Sequence, residues 1–398
     1  MKFQISSSVL LSALSQVSRT IESKPTLPIL NCVLFSLGEG KLALTASDGE
    51  ITMQTASDVV NSDGIGCFAV NAVQMINALR EIAEQPITIE VNPANYALTL
   101  SYANGQSSFV CQDGKEYPTP VVMPDDASRL TIPSDMLCTG IAHTIGSVAN
   151  DELRPVMNSI HIDFTDQSTT FVSTDGHRLV REVFPELSTL NSKLSTLTSL
   201  SLSKKFAKLV REVLMKDQAP VVLRFTNQQA QVITTAYTIT SRLVEGKYPN
   251  YNAVIPTSFR ASATVDRQSL IGALRRTLVF ASTTTALVRL EFTPDNLSIS
   301  TSDTDFSTSA DEHIPCTCTD QSLTIGFKGT YLLDLLSLLS TDEVTFHLTD
   351  PTRPGIITPA TPPSPSPSPS PESESPALTS HPSPLTPQLT LLLMPMVI

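Results

Sequence analysis

Ser173, Asp175 and His177 fall at alternate positions of VSTDGHRLV and supply the hydroxyl, carboxylate and imidazole that a nucleophilic hydrolase needs. Their spacing argues against that use. Neighbours in a hairpin point to alternate faces or into the turn, whereas a triad is assembled from separate elements. A hydrolase built on Asp175 and His177 would lose turnover in His177→Ala; no intrinsic turnover is expected. G-x-S-x-G, H-E-x-x-H, phosphate-loop and dinucleotide patterns are absent from the sequence. Cys32, Cys67, Cys111, Cys138, Cys316 and Cys318 are scattered, and the C-x-C at 316–318 lacks the second ligand pair of a zinc site. The cysteines read as reduced residues of core or surface, and no metal or cofactor is expected.

A second kind of chemistry is electrostatic. In LSKKFAKLVREVLMK, 202–216, a helical repeat gathers Lys204, Lys205, Lys208, Arg211 and Lys216 on one side. Phe206, Leu209, Val210, Val213 and Leu214 gather on the other. Such a stripe reads as a solvated face or as a surface for phosphates. The chain's net charge of −12 excludes attraction of nucleic acid by the molecule as a whole, so any such contact needs a segregated basic face.

The elements that must position these residues recur. TASDGE at 45–50, VSTDGH at 172–177 and STSDTD at 300–305 place Asp48, Asp175 and Asp303 at nearly equal intervals. Alternating apolar and polar residues flank each phrase. Asp-Gly in the first two predicts hairpins with a tight turn; Thr304 in the third predicts a different tip. Amphipathic stretches precede the phrases at 6–21, 132–146 and 264–280, and others follow at 70–84, 202–216 and 327–340. Arg80 and Lys328 lie in the latter set beside the lysines of 202–216. The pattern predicts an α+β protein of three repeats, 1–126, 127–255 and 256–398, each with helices gathered on one face of antiparallel sheet.

At 398 residues the chain suits two or three domains, and the repeat favours three. With no apolar run of membrane-spanning length and no leader at Met1, a soluble, cytoplasmic protein is expected. The Ser-Pro alternation of 358–390 predicts a disordered insertion, after which LLLMPMVI regains strand character. That ending reads as a last strand or as a methionine-bearing surface for varied partners. EGKYPNYNAVIP at 245–256 reads as a pocket at a repeat junction or as a linker.

In combination, SKPTLPIL (23–30), DELRPVMNSI (151–160), STDGHRLVR (173–181), EGKYPNYNAVIP (245–256), DFSTSADE (305–312) and LLMPM (392–396) resemble the bacterial DNA sliding clamp, the β subunit of DNA polymerase III, most of all that of the Bacteroidetes type. The resemblance covers the chain apart from the Ser/Pro segment. It implies three repeated clamp domains, sheets outside and two helices each facing a central channel, closed into a head-to-tail homodimeric ring around duplex DNA of any sequence. It further implies a processivity factor without catalysis. Implied partners are the polymerase III catalytic subunit, the clamp loader and other motif-bearing proteins such as repair polymerases, mismatch-repair proteins and ligase, with no membrane. A repeat-built peptide scaffold that never encircles DNA is the alternative.

Carried over by position, the resemblance places Arg154, Met157, Thr174, Leu179, Pro249, Val254, Leu392, Met394 and Met396 in a partner-peptide pocket. It places Lys24, Arg80, Lys204 and Lys205 against DNA; Lys208 joins them by helical phase alone. Phe109 and Cys111 would meet Val279 and Phe280 of a second subunit, or else pack within their own. The insertion departs from the family. A looped-out segment costs entropy that grows slowly with length, so the last strand can still dock; without docking, the pocket loses Met394 and Met396.

Overall fold

The structure, a computed structural model, describes residues 1–119, 122–165, 167–185, 199–215, 219–320, 322–360 and 388–397. Its helices are α1 (Ser7–Val17), α2 (Ala72–Arg80), α3 (Ser134–Thr144), α4 (Lys204–Leu214), α5 (Arg267–Leu278) and α6 (Gly329–Leu336). They match the six amphipathic stretches but start slightly later. At four of them the residue before the helix ends a strand and caps the first turn: Ser6, Asn71, Ser203 and Asp266 accept the backbone N–H of Val9, Gln74, Phe206 and Ser269.

The chain packs as two compact units, Met1–Thr139 with Leu190–Glu245, and Gly140–Thr189 with Gly246–Ile398. In the first unit a five-stranded antiparallel sheet runs in the order Val60–Asp63, Lys2–Ser6, Pro86–Val91, Ala97–Tyr102, Gly105–Val110. A nine-stranded sheet joins strands from Cys32 to Asp58 to later ones by pairing Ile51–Asp58 with Tyr237–Arg242. α1 packs on α2, burying Leu10, Ala13, Leu14 and Val17 against Met75, Ile76 and Leu79 at helical spacing.

In the second unit, Arg178–Pro185 pairs with Gln388–Leu393, which pairs in turn with Gly355–Pro359. α5 packs on α6 over a core that includes Phe292, Phe327 and Phe346, all fully buried. Gly140 of α3 lies against the Phe171 ring so closely that a Cβ there would stand 2.6 Å from Cδ2. The Ser/Pro insertion is narrower than 358–390: Thr358 and Pro359 close one strand, and Gln388, Leu389 and Thr390 pair with Val183, Glu182 and Arg181. The expected disorder of 361–387 lies outside the described residues.

The three aspartates have one shared task. Asp48 Oδ1 accepts the N–H groups of Glu50 and Ile51 at 2.8 and 2.7 Å, and Asp175 Oδ1 those of His177 and Arg178, both at 2.9 Å. The hydroxyl before each aspartate, Ser47 or Thr174, accepts the glycine N–H and donates to the carbonyl of Ile51 or Arg178. Gly49 and Gly176 take φ of +98° and +88°, which a side chain disfavours. In the third hairpin Asp303 Oδ1 accepts from Asp305 and Phe306, and the left-handed residue is Ser307, so the tip differs as Thr304 predicts.

Candidate partner groove and nucleic-acid face

The hydrolase set is not assembled. Ser173 is fully buried and donates its hydroxyl to the Thr144 carbonyl, while Asp175 holds the turn and the ion pair to Arg178. The exposed His177 ring sits 6.3 Å from that of Tyr331.

The second unit carries a buried apolar cluster of Val172, Leu179, Tyr248, Ile356 and Leu392, with Val156, Tyr251 and Ile255 packed against it. Among the expected pocket residues, Met157, Thr174, Leu179 and Leu392 are buried, Met396 is half-buried, and Arg154, Pro249, Val254 and Met394 are exposed. The last strand is docked: Leu392 pairs with Leu179 and with Ile356, and the Met394 N–H donates to the His177 carbonyl at 2.8 Å. Nearby, a cleft of about 570 Å³ is lined by Val148, Asp151, Arg154, Asp175, His177 and Tyr331, among others. Arg154 is held there by Asp151 at 2.8 Å.

Tyr331 and Ile356 were not singled out from the sequence. Tyr331 sits between two cations, Arg178 at 4.4 Å and Lys328 at 4.5 Å from its ring centre. An aromatic in the first turn of an amphipathic helix was its available signal. Ile356 had none beyond a β-branched run.

A polar clasp ties the YPNY segment to Asp163 and His161 beside this cluster. The Tyr251 hydroxyl donates to Asp163 Oδ2 at 2.6 Å, and His161 Nε2 lies 3.1 Å from Asp163 Oδ1. His161 stacks on Tyr248 with centroids 4.6 Å apart. Burial opposes the Asp163 charge, yet the hydrogen bonds from His161 and Tyr251 outweigh it and hold the carboxyl below its ordinary range. Burial, reinforced by Asp163, pushes the Tyr251 phenol up.

In the first unit α4 buries Phe206, Leu209, Val210, Val213 and Leu214 and exposes Lys204, Lys205 and Lys208, as its periodicity predicts. Lys205 is not a free charge. Its Nζ lies 2.5 Å from Glu22 and also pairs with Asp48, whose carboxylate is almost wholly buried. Partial burial works against the ammonium, but the two carboxylates prevail and raise its pKa. Among the described residues Lys204, Lys208, Lys24 and Arg80 make no ion pair. All four are exposed, Arg80 at the end of α2 and Lys24 in the loop after α1. Arg211 is only half-exposed, and Lys216 lies outside the described residues.

Family models of the DNA polymerase III beta subunit match the chain in order: the N-terminal domain over residues 1–120, the central domain over 131–250 and the C-terminal domain over 252–366. The chain belongs to the DNA polymerase III beta subunit family, the bacterial sliding clamps. The beta sliding clamp of Synechococcus elongatus is 29% identical over 362 residues, covering 88% of this chain and 93% of that protein. That of Haemophilus influenzae is 26% identical, covering 88% and 93%. The Pseudomonas aeruginosa sliding clamp solved bound to griselimycin superposes with a TM-score of 0.87 at 22% identity, covering both chains completely. The fold is the three-domain clamp fold.

The residues expected at a clamp subunit interface differ in exposure. Phe109 is half-buried in Gly105–Val110, which ends the five-stranded sheet with an edge that no other strand pairs among the described residues. Cys111 is buried within its own unit, and burial pushes its thiol up to about 12. Val110 between them is exposed; strand alternation could have found it. Val279 and Phe280, just past α5, are both exposed, and Phe306 at the third hairpin tip joins them as an exposed apolar residue. The Thr308 hydroxyl donates to the Phe280 carbonyl at 3.1 Å, tying that tip to the end of α5.

Proposed function

We infer that this chain is a DNA polymerase processivity factor, a sliding clamp that encircles duplex DNA, tethers the replicative polymerase and catalyses nothing itself. The observation that carries this reading is the succession of three beta-subunit domains in chain order. The proposed domain borders are 1–126, 127–255 and 256–398, and two chains joined head to tail supply the six domains of the ring. The exposed Gly105–Val110 edge and the apolar Val279, Phe280 and Phe306 support a self-association surface. Phe109 and Cys111 are assigned to its first side, Cys111 as a packed support for the strand.

Retention comes from topology, so the surface facing DNA needs only weak, sequence-independent attraction. Lys24, Arg80, Lys204 and Lys208 suit that role, since they bring positive charge to an otherwise acidic chain, and Lys205 is assigned beside them with its charge shared with Glu22 and Asp48. The groove on the second unit is assigned to short motifs from the polymerase III catalytic subunit, the clamp loader, repair polymerases, mismatch-repair proteins and ligase. Burying two or three apolar side chains at about 1.5–3 kcal/mol each, less the cost of ordering a peptide, gives a modest grip that permits exchange of partners. A cytoplasmic setting follows from that task. Among the described residues no helix is long and apolar enough to cross a membrane.

The test is topological. Loaded on nicked circular DNA, the protein should stay bound until the circle is linearised and then be lost. Equal retention on circular and linear DNA would overturn encirclement and leave a peptide-binding scaffold.

A further inference from the structure

The groove of the second unit has a structural counterpart in the first that no expected pocket residue covers. In the second unit the hairpin-tip carbonyl of His177 accepts the N–H of Met394, and two residues on Met396 donates to Gly326, both at 2.8 Å. In the first unit the hairpin-tip carbonyl of Glu50 accepts from Arg242 at 3.3 Å, and two residues on Val244 donates to Ser201 at 3.0 Å. The helix that follows is capped by Ser203 in one case and preceded by Lys328 in the other. Arg242 therefore occupies the place of Met394, Val244 that of Met396, and Glu50 that of His177.

The first unit's frame also encloses space. A cleft of about 510 Å³ is lined by Glu50, Gln229, Arg242, Val244 and Glu245, among others. That volume lies within the range of ordinary ligand sites. Leu243 is buried and Val244 half-buried, which gives a small apolar base. Around it stand two exposed carboxylates, Glu50 and Glu245, against one guanidinium, Arg242. Gln229 adds an amide oxygen that is buried without a hydrogen-bond donor among the described residues. An acceptor-rich rim with an excess of negative charge suits a cation that brings N–H donors.

We propose that this cleft of the first unit is a second peptide groove, selective for a short extended segment bearing Lys or Arg. The proposal rests on reading the second unit's groove as a peptide site, since the shared frame is what identifies the occupant as a peptide. Glu50 at the place of His177, with Glu245 beside it, turns the first unit's groove toward basic side chains, while Arg242 at the place of Met394 removes an apolar contact and partly offsets the two carboxylates. One takes apolar side chains; the other takes basic ones.

The full-length protein is titrated with two labelled hexapeptides, one alternating Lys and Leu, the other uncharged and bearing Leu and Phe, with anisotropy as readout at low salt. The Lys-Leu peptide should bind the wild type, bind about tenfold more weakly to the E50Q/E245Q double variant, and bind about threefold more tightly to Arg242→Gln, because exposed charge pairs contribute modestly and with predictable sign. Met394→Ala should weaken only the uncharged peptide. No binding of the Lys-Leu peptide, or binding indifferent to Glu50, Glu245 and Arg242 but lost in Met394→Ala, overturns the proposal. Failure of the uncharged peptide alone would instead count against the reading of the second unit's groove.

Discussion

Replacing Asp175 by Ala tests whether the recurring aspartate is structural. The change removes an acceptor for two backbone donors at 2.9 Å and one partner of Arg178 at 3.1 Å. A hydrogen bond to an ionised acceptor contributes about 1.5–3 kcal/mol, and the side chain's 16% exposure lets water replace part of that. The expected loss is about 2–4 kcal/mol. Asp175→Asn keeps the Oδ1 acceptor and loses only the charge. Arg178 retains Asp334 and the Gly146 carbonyl, each at 2.7 Å, so this variant should lose only about 1 kcal/mol. Urea unfolding of the three proteins, compared by midpoint at constant slope, separates acceptor from charge. Equal damage in both variants would refute the turn argument in favour of the ion pair; wild-type midpoints in both would remove both.

Further outcomes follow from the same geometry. Replacing Lys204 and Lys208 by Gln should flatten the salt dependence of DNA binding by up to about two per chain in the log–log slope, whereas Lys205→Gln should change it less, because Glu22 and Asp48 already neutralise that ammonium. Asp163 has a folded pKa below its unfolded value, so its contribution is complete above the ordinary carboxylate range and is lost as pH falls through the folded pKa; Asp163→Asn should flatten that part of the stability–pH profile. Deleting residues 394–398 should abolish binding of apolar motif peptides while the mass in solution stays that of a dimer; unchanged affinity would remove the terminus from the pocket. Gly140→Ala should lower the unfolding midpoint, since its Cβ would overlap the buried Phe171 ring.

How much was legible in advance differs by kind of residue. The six helices and three hairpins were readable because their causes are local: apolar spacing, a capping hydroxyl or carboxylate, and glycine where the turn needs positive φ. The different third tip was readable from one residue, Thr304. The aspartates' spacing was visible, but not their task of accepting two N–H groups each, which is common enough in turns to carry no mark of its own.

The sequence by itself determined the threefold design and the side of α4 that stays wet, because periodicity and turn chemistry act within a few residues. Only the tertiary structure decided that Lys205 is neutralised, that Cys111 faces inward, that Tyr331 lies between two cations and that the last strand docks beside Leu179. Each of those depends on a partner far away in the chain, and the choice among distant partners is made by packing the whole core.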